Sequence, residues 1–455
     1  MKNIHNYFGF FLILTTLGGC EEFLEVDHPK DQIVQEIVFN DDKTAQAAIG
    51  HLYVQLFNNG FFSGNVLGNS YLMACYSDEL EVTTAQSTDF RLFYDGAVNP
   101  SNDAVKMLWN QSYQQIYVCN NMLQGLSTAS GLSTETKNQL KGEVLAIRAL
   151  LHFYLSQTFG SVPYVTVTDY NINRKISKQS VSNILNLVIE DLLEAEKNLS
   201  VTYPTSEKIR INQTVAKALL ARVFLYQENW IMAREYAETV IQSDIYALET
   251  PSKVFLKQSK SAIWQLKPTF PGLNTYEAYS HFFFTVPPPQ ARISAKLLNS
   301  FEMGDQRMQN WIKFVGTGNI NAHAYKYKQF GTTTIPVEYP VVLRIEEMYL
   351  ISAEAAAELE DWSLFNLRIN ALRERAGLQA KLISEKEAAY ALLIQERKIE
   401  FFCEYGHRFY DLKRYGKLNG TVLDKPGWKN YFAVLPIPEN ELVLNPNLLP
   451  QNEGY

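Results

Sequence analysis

Residues 214–241 read TVAKALLARVFLYQENWIMAREYAETVI. Two apolar helical faces lie in this stretch, at 214–226 and 230–241, and Asn229 marks the break between them. Ala216, Ala218, Ala221, Ala233 and Ala237 keep the facing surfaces small. Small side chains let two helices approach closely, so the stretch predicts a tightly packed helical hairpin. A second pair follows later in the chain. Residues 346–360 carry Ala353, Ala355, Ala356 and Ala357, and 362–376 form the next helical run, closed by Gly377, a residue that readily ends a helix.

Ala-spaced helix pairs of this length resemble tetratricopeptide units. The spacing between the pairs is irregular, so they read as divergent units rather than as a regular array. Further helical faces run through Leu140, Val144, Ile147, Leu151 and Tyr154, and through Ile184, Val188, Leu192, Ala195 and Leu199. Periodicity fades at 251–341, which holds Pro251, Pro268, Pro271, Pro287, Pro288, Pro289, Pro336 and Pro340 together with many aromatic residues. Residues 58–100 have a similar character. The expected fold class is therefore mainly α: a tetratricopeptide-like helical-hairpin scaffold with loop-rich, aromatic insertions that are suited to carry a binding site.

The N-terminus sets the compartment. Lys2 precedes an apolar run at 7–17, too short to span a bilayer but suited to a signal peptide. The run ends in Leu17-Gly18-Gly19-Cys20, the pattern of a bacterial lipobox, in which the Cys thiol takes a diacylglycerol. Acyl chains at Cys20 would hold the domain on a membrane. Residues 388–394 are apolar but closely flanked by Glu385, Glu387, Glu396 and Arg397, so no other stretch reads as transmembrane. The expected organisation is a signal peptide at 1–19, a tether at 20–42 and one domain at 43–455. Within that domain the helical scaffold covers about 43–250 and 342–416, the loop-rich insertion about 251–341, and a C-terminal wrap 417–455.

The chain has a formal charge of −7, and loss of residues 1–19 removes one cation and no acid. This argues against a nucleic-acid partner or an anionic lipid surface held by bulk charge. Apart from Cys20 there are three cysteines, Cys75, Cys119 and Cys403, each among apolar or aromatic neighbours and read as buried thiols. The 26 Tyr, 26 Phe and 6 Trp exceed what a core alone would call for and point to a binding surface.

Several blocks occur in order. Cys20-Glu21-Glu22-Phe23-Leu24 comes first. Glu143-Val144-Leu145-Ala146-Ile147-Arg148-Ala149 follows, running on to Phe159-Gly160-Ser161-Val162-Pro163. Then come Arg344-Ile345-Glu346-Glu347-Met348-Tyr349-Leu350 and Asn370-Ala371-Leu372-Arg373-Glu374-Arg375-Ala376-Gly377. Glu396-Arg397-Lys398-Ile399-Glu400-Phe401 leads to Gly406-His407-Arg408-Phe409-Tyr410-Asp411-Leu412-Lys413-Arg414. Leu435-Pro436-Ile437-Pro438 and Asn445-Pro446-Asn447 close the set. Together they resemble the SusD/RagB family of Bacteroidetes outer-membrane lipoproteins, over essentially the whole mature chain. The resemblance implies a tetratricopeptide-built, SusD-like lipoprotein on the outer face of the outer membrane. Such a protein sits as a lid on a SusC-like TonB-dependent barrel and delivers oligosaccharide or peptide to it. In that family the ligand contacts vary with substrate, so no contact residue is carried over by motif.

Sugar recognition needs flat aromatic faces for the C–H side of pyranose rings and planar polar groups for the hydroxyls. Arg91, Phe93, Tyr94 and Asn99 in the first loop-rich region supply both types. So do Tyr276, Tyr279, His281 and Phe282 in the second, with Phe284 beside them. The alternative for each ring is plain packing in the core or against the barrel. Trp109 reads as structural. Asp89 and Asp95 are the carboxylates a glycosidase reading would use, but no nucleophile motif accompanies them, and the chain is expected not to be an enzyme. Glu396, Glu400 and Glu404 repeat every four residues, with His407 and Asp411 following. Without a metal-ligand spacing they read as ion-pairing residues, with Arg397, Arg408, Lys413 and Arg414 as expected partners. No cofactor and no metal is expected. A pure tetratricopeptide interaction scaffold remains a third reading.

Overall fold

The computed structural model describes residues 38–455. Cys20, the signal segment and most of the 20–42 tether lie outside the described residues.

Helix α1 (Asp42–Asn58) starts where Asp41 accepts hydrogen bonds from the backbone N–H groups of Lys43 and Thr44, at 2.9 and 3.1 Å. These satisfy donors that a helix start leaves open. The first loop-rich region holds α2 (Asn69–Tyr76), β1 (Leu80–Val82) and α3 (Asp89–Asp95). Then come the long helices α4 (Asp103–Thr128) and α5 (Thr134–Phe159). Asp42 accepts from the Ser133 backbone N–H (3.0 Å), the Ser133 hydroxyl (2.7 Å) and the Thr136 hydroxyl (2.8 Å), so one carboxylate joins the starts of α1 and α5. From Gly142 onward α5 is buried on every side. It packs on α6 (Val181–Asn198) so closely that a Cβ on Gly142 would lie 2.6 Å from Leu199 Cγ. Trp109 sits in the second turn of α4 and is buried.

The two hairpins read from the sequence are α7 (Gln213–Tyr226) with α8 (Trp230–Ile241), and α11 (Ile345–Glu358) with α12 (Trp362–Arg375). Between them in the chain lie α9 (Tyr276–His281) and α10 (Gln306–Trp311). The hairpins turn in the same way. Glu228 and Glu360 stand at φ 59° and 57°. The following Asn229 and Asp361 share near-identical backbone angles and cap the next helix by accepting from Met232 and Leu364. Glu-Asn-Trp and Glu-Asp-Trp are thus equivalent triplets. α8 packs against α11, and Arg222 on α7 makes a two-pronged ion pair with Glu347 on α11, both contacts at 2.6 Å. The fold is mainly helical and tetratricopeptide-like. Helices α13 (Lys386–Phe401), α14 (His407–Arg414) and α15 (Glu439–Leu444) complete it. At the C-terminus, Asn452 donates to the carbonyls of Phe159 and Leu435, and the Tyr455 ring stacks on Phe432, which lays the tail over the scaffold.

The strands are short and pair antiparallel: β1 with β3 (Ala291–Ile293), β2 (Ala262–Gln265) with β6 (Val341–Arg344), and β4 (Ile312–Phe314) with β5 (Ala322–Ala324). β2–β6 closes the base of the long insertion. β1–β3 joins the two loop-rich regions, with Glu81 opposite Arg292 and ion-paired to it at 2.8 Å. Cys75, Cys119 and Cys403 are free, buried thiols.

A buried ion lattice holds the insertion to the scaffold. Glu400 pairs with Arg344 (2.5 Å), Arg375 (2.5 Å) and Arg307 (3.1 Å); Glu396 with Arg373 (2.5 Å) and Arg307 (2.9 Å); Glu404 with Arg344 (2.9 Å) and Lys326. The acids therefore pair, and Asp411 does so with two of the expected cations, Arg397 (2.7 Å) and Arg414 (2.9 Å). The three Glu do not: none of the expected cations meets them, for Arg408 goes to Asp78 (2.7 Å), Arg414 also to Glu354, and Lys413 donates to the Gln157 carbonyl (2.7 Å). The reason is helical geometry. Arg397 follows Glu396 by one residue and so points about a quarter-turn away from the Glu face, toward α14 rather than toward the insertion.

Removing one member of a buried ion group leaves the others uncompensated. Glu400→Gln is expected to lower stability by about 3–5 kcal/mol in urea unfolding at neutral pH; a loss under 1 kcal/mol would show that the lattice is not a stabilising unit. Two other buried acids behave in the opposite sense to Glu400, which burial alone would raise but its arginine partners hold well below the usual carboxylate range. Burial pushes Glu277 up to about 7, with Glu404 and Glu338 adding like charge, and pushes Glu79 up to about 8 with Asp78 beside it. Glu277 sits against Gly64, where a Cβ would come within 2.2 Å of its carboxyl, and one of its oxygens has no partner. Its folded-state value lies above the unfolded one of 4.5. The stability it contributes is therefore fully present below about pH 4.5 and lost as pH rises through about 7. Wild type is expected to lose on the order of 2 kcal/mol from this group between pH 5 and 8, and Glu277→Gln to remove that part of the slope. Equal slopes for the two proteins in urea titrations would contradict this. Asp78 acts the other way. Burial alone would raise it, but Arg408 and Lys398 hold it at about 2, so its contribution is present above 3.8 and lost as pH falls through about 2.

Candidate functional site

Helix α9 is six residues long, capped by Thr275, whose hydroxyl accepts from the Ala278 backbone N–H at 3.3 Å. Glu277, Ala278, Ser280 and His281 are buried, and Tyr279 is left 40% exposed. The chain leaves α9 through Phe282, Phe283 and Phe284. Phe282 and Phe284 meet rings delivered from the 322–331 segment. Phe282 lies nearly parallel to Phe330 (centroids 5.8 Å, 11°), stacks on Tyr325 (5.4 Å) and packs against His323 (4.4 Å). Phe330 also meets Tyr279 (4.9 Å) and the edge of Phe284 (5.0 Å). Tyr279, Phe284 and Phe330 are exposed, the last two at 66% and 49%, while Phe282 and Tyr325 are half-buried beneath them. Exposed rings in one contiguous cluster are unusual on a protein surface, which makes this the candidate binding face. At the edge of the cluster the Lys328 ammonium lies 5.7 Å from the Tyr325 ring.

The first region meets this face through β1–β3. Arg91 on α3 donates to Asp95 at 2.7 Å and to the Val82 and Thr84 carbonyls at 3.4 and 3.2 Å, so it fastens α3 to the end of β1. The Thr83 hydroxyl donates to the Pro288 carbonyl at 2.7 Å, four residues past the Phe282–Phe284 run. Arg292 on β3 pairs with Glu81 and donates to Asn321 at 3.0 Å. Planar polar side chains thus lie along the strands that connect the two regions.

The sequence-derived candidates divide by location. Tyr279 and Phe282 share the aromatic face. Tyr276 turns the other way, packing on Phe57 of α1 at 4.9 Å. His281 is buried against Tyr71 at 5.3 Å, and burial takes it down to about 3, so it is a neutral core residue rather than a surface contact. Phe93 is likewise fully buried, edge-on to Tyr76 at 5.4 Å. On α3 the core takes positions 90 and 93, one turn apart, which leaves Arg91 and Tyr94 half-exposed. Tyr94 lines a cavity of about 180 Å³ with Glu81, Lys296, Asp424 and Lys425, and the Lys425 ammonium lies 4.3 Å over its ring. Burial lowers Lys425 to about 8. Asn99 is exposed and accepts from the Ser101 backbone and hydroxyl, at 3.0 and 2.7 Å, in a turn. Asp95 is committed to Arg91, and Asp89 lies in the first turn of α3. Cys20 lies outside the described residues.

Two rings of the face, Tyr325 and Phe330, were not among the candidates. Phe330 precedes Gly331, which stands at φ 106°. An aromatic residue at such a turn in a Pro- and Gly-rich segment is the available signal. Among the described residues no group of three or more His, Cys, Asp or Glu side chains is arranged to hold a metal ion, and no helix is long and apolar enough to cross a membrane.

Comparison with known proteins places the chain. Residues 22–225 match the family model described as "Starch-binding associating with outer membrane", and residues 317–455 match that of the SusD family. The span between them, 226–316, holds Tyr279, Phe282 and Phe284. SusD-like protein P2 of Formosa agariphila is 26% identical, over 98% of this chain and 99% of its own. Among solved structures, a SusD superfamily protein from Bacteroides vulgatus superposes with a TM-score of 0.78 at 23% identity, covering 91% of this chain and 99% of that one. Surface glycan-binding protein A from Bacteroides thetaiotaomicron, solved in complex with laminarihexaose, superposes at 0.75 with 18% identity, covering 90% and 99%. With both family segments present in order, a full-length relative and the same helical scaffold, the chain belongs to the SusD/RagB family.

Proposed function

We propose that this protein binds oligosaccharide on the aromatic face formed by Tyr279, Phe282, Phe284, Tyr325 and Phe330. In this reading it passes the glycan to a SusC-like TonB-dependent barrel, and acylated Cys20 holds it on the outer face of the outer membrane. It is a binding protein and not an enzyme. The observation that carries this reading is the solvent-facing ring cluster. Flat rings receive the C–H faces of pyranoses, and a scaffold-only role would give no reason to expose Phe284 and Phe330. Arg292, Asn321 and Arg91 supply planar polar groups along β1–β3. Family membership supports the same reading, as does the laminarihexaose held by the Bacteroides thetaiotaomicron relative.

Each exposed ring is expected to contribute on the order of 1 kcal/mol of stacking, about fivefold in affinity. Calorimetric titration with laminarihexaose, maltohexaose and xylohexaose tests this. Phe330→Ala should weaken binding of the accepted glycan about fivefold, and Phe282→Ala/Phe330→Ala about 20-fold or more. Silence toward all glycans, with saturable binding of a peptide panel, would transfer the face to peptide capture. For the anchor, Cys20→Ser is expected to abolish incorporation of labelled palmitate and to shift the protein from the membrane to the soluble fraction. Undiminished labelling of the variant would rule out Cys20 as the acylated residue.

A further inference from the structure

A second concavity shares no residue with the aromatic face. It is a cavity of about 290 Å³ between α4, the 163–176 loop and the C-terminal segment around α15. This lies near the small end of the range for ligand sites, roughly 300–1,000 Å³. Trp109 forms the floor, buried, with Tyr113 packed on it at 4.9 Å and the Tyr113 hydroxyl fixed on the Pro163 carbonyl at 2.9 Å. Tyr117 and Tyr170 stand at the mouth, 44% and 71% exposed. The Arg174 guanidinium lies 5.9 Å from the Tyr170 ring.

The polar lining is unevenly used. Asn445 is spent on the fold, donating to the Ile176 carbonyl at 2.9 Å and accepting from the Asn447 backbone at 3.1 Å. Asn173 donates to the Val167 carbonyl at 2.9 Å, but its side-chain oxygen is buried with no donor. Buried acceptors are nearly always satisfied, so this one calls for a hydrogen-bond donor that the chain does not supply. The Glu441 carboxyl takes the Trp109 indole N–H, and burial holds it above the usual carboxylate range. Arg174 and Glu441 are the two charged residues of the lining, one of each sign, so the lining carries no excess of charge that would select an anion or a cation.

The loop that forms one wall is pinned by contacts within the chain. Gln179 bridges to Val162, Asn447 donates to the Lys175 carbonyl at 2.7 Å, and Lys178 donates to the Pro450 carbonyl at 2.6 Å. The cavity is therefore preformed. A neutral ring with hydroxyl donors fits this lining: its apolar face meets Tyr117 and Tyr170, and its hydroxyls meet Asn173 and Glu441. We infer that this cavity is a second, independent binding site for the end of a neutral glycan chain, seated on Tyr117 and Tyr170 and hydrogen-bonded by Asn173 and Glu441. It shares only the ligand class with the aromatic face.

The test uses the mature chain, residues 20–455, titrated calorimetrically with laminarihexaose, maltohexaose and xylohexaose. Four proteins are compared: wild type, Tyr117→Ala/Tyr170→Ala, Asn173→Ala, and Phe282→Ala/Phe330→Ala. The first two rings lie at the surface, so their removal leaves the core intact, and circular dichroism checks this. Wild type is expected to show two binding events with at least one glycan. The Tyr117/Tyr170 variant should lose one of them, by tenfold or more, and Asn173→Ala should weaken the same event. The Phe282/Phe330 variant should retain it. One binding event in wild type that Tyr117→Ala/Tyr170→Ala leaves unchanged overturns the inference, as does loss of all binding in the Phe282/Phe330 variant. Binding that depends on Tyr117 and Tyr170 but not on Phe282 and Phe330 supports this site while removing the aromatic face from the proposed function. If wild type binds none of the glycans, both readings fall.

Discussion

The row Glu396, Glu400 and Glu404 is the constraint on which the rest of the structure depends. Three carboxylates spaced four residues apart point from one side of α13 and its extension into the interior. Buried anions must be paired, and the cations that reach them come from separate segments: Arg307 and Lys326 from the insertion, Arg344 from the end of β6, and Arg373 and Arg375 from α12. Arg307, Arg344 and Arg373 are each at most 2% exposed. A buried lattice of this kind gains little over apolar packing in net free energy, but it tolerates only one arrangement of its parts. It fixes where the insertion sits on the helices.

That fixing is what allows an exposed aromatic face. Phe284 and Phe330 are costly as surface residues, and they are kept in place by segments whose ends are held from below. The 322–331 segment is tied by Lys326 to Glu404 and to the Glu400 carbonyl, and Glu338 accepts from the backbone at Lys328 and Gln329. α9 is held by its own buried side, Glu277, Ser280 and His281. A rigid frame with rings on short loops presents a stacking surface that loses little freedom on binding, which is the usual route to affinity for weakly interacting ligands such as sugars.

Much of the scaffold was legible because helical packing is written locally. Small residues at 216, 218 and 221 and at 353, 355 and 356 mark faces where helices approach, and Asn229 and Gly377 mark ends. The paired turns Glu228-Asn229-Trp230 and Glu360-Asp361-Trp362 were equally local signals, a capping side chain after a residue in the left-handed region, and they tie the two hairpins together more firmly than the alanines do. The candidate site was less legible. Phe93 and Tyr94 are adjacent and chemically alike, yet one lies in the core and the other lines a cavity, because the helix they share is short and its buried side is chosen by Tyr76 and Tyr71 from α2. Tyr276 and Tyr279 part in the same way on α9.

By itself the sequence determined the class of fold, the helix pairs, the buried thiols, the expectation of a lipid anchor at Cys20, and the resemblance that the family comparison bears out. These follow from periodicity, from capping residues and from blocks of residues read along the chain. Only the tertiary structure decided which cations meet Glu396, Glu400 and Glu404, which rings reach solvent, and that Phe330 stacks on Phe282 across 48 residues of sequence. Partner choice in a lattice and membership of a surface cluster depend on distances between segments remote in the chain. No local pattern encodes such distances, because they are settled by how the helices pack.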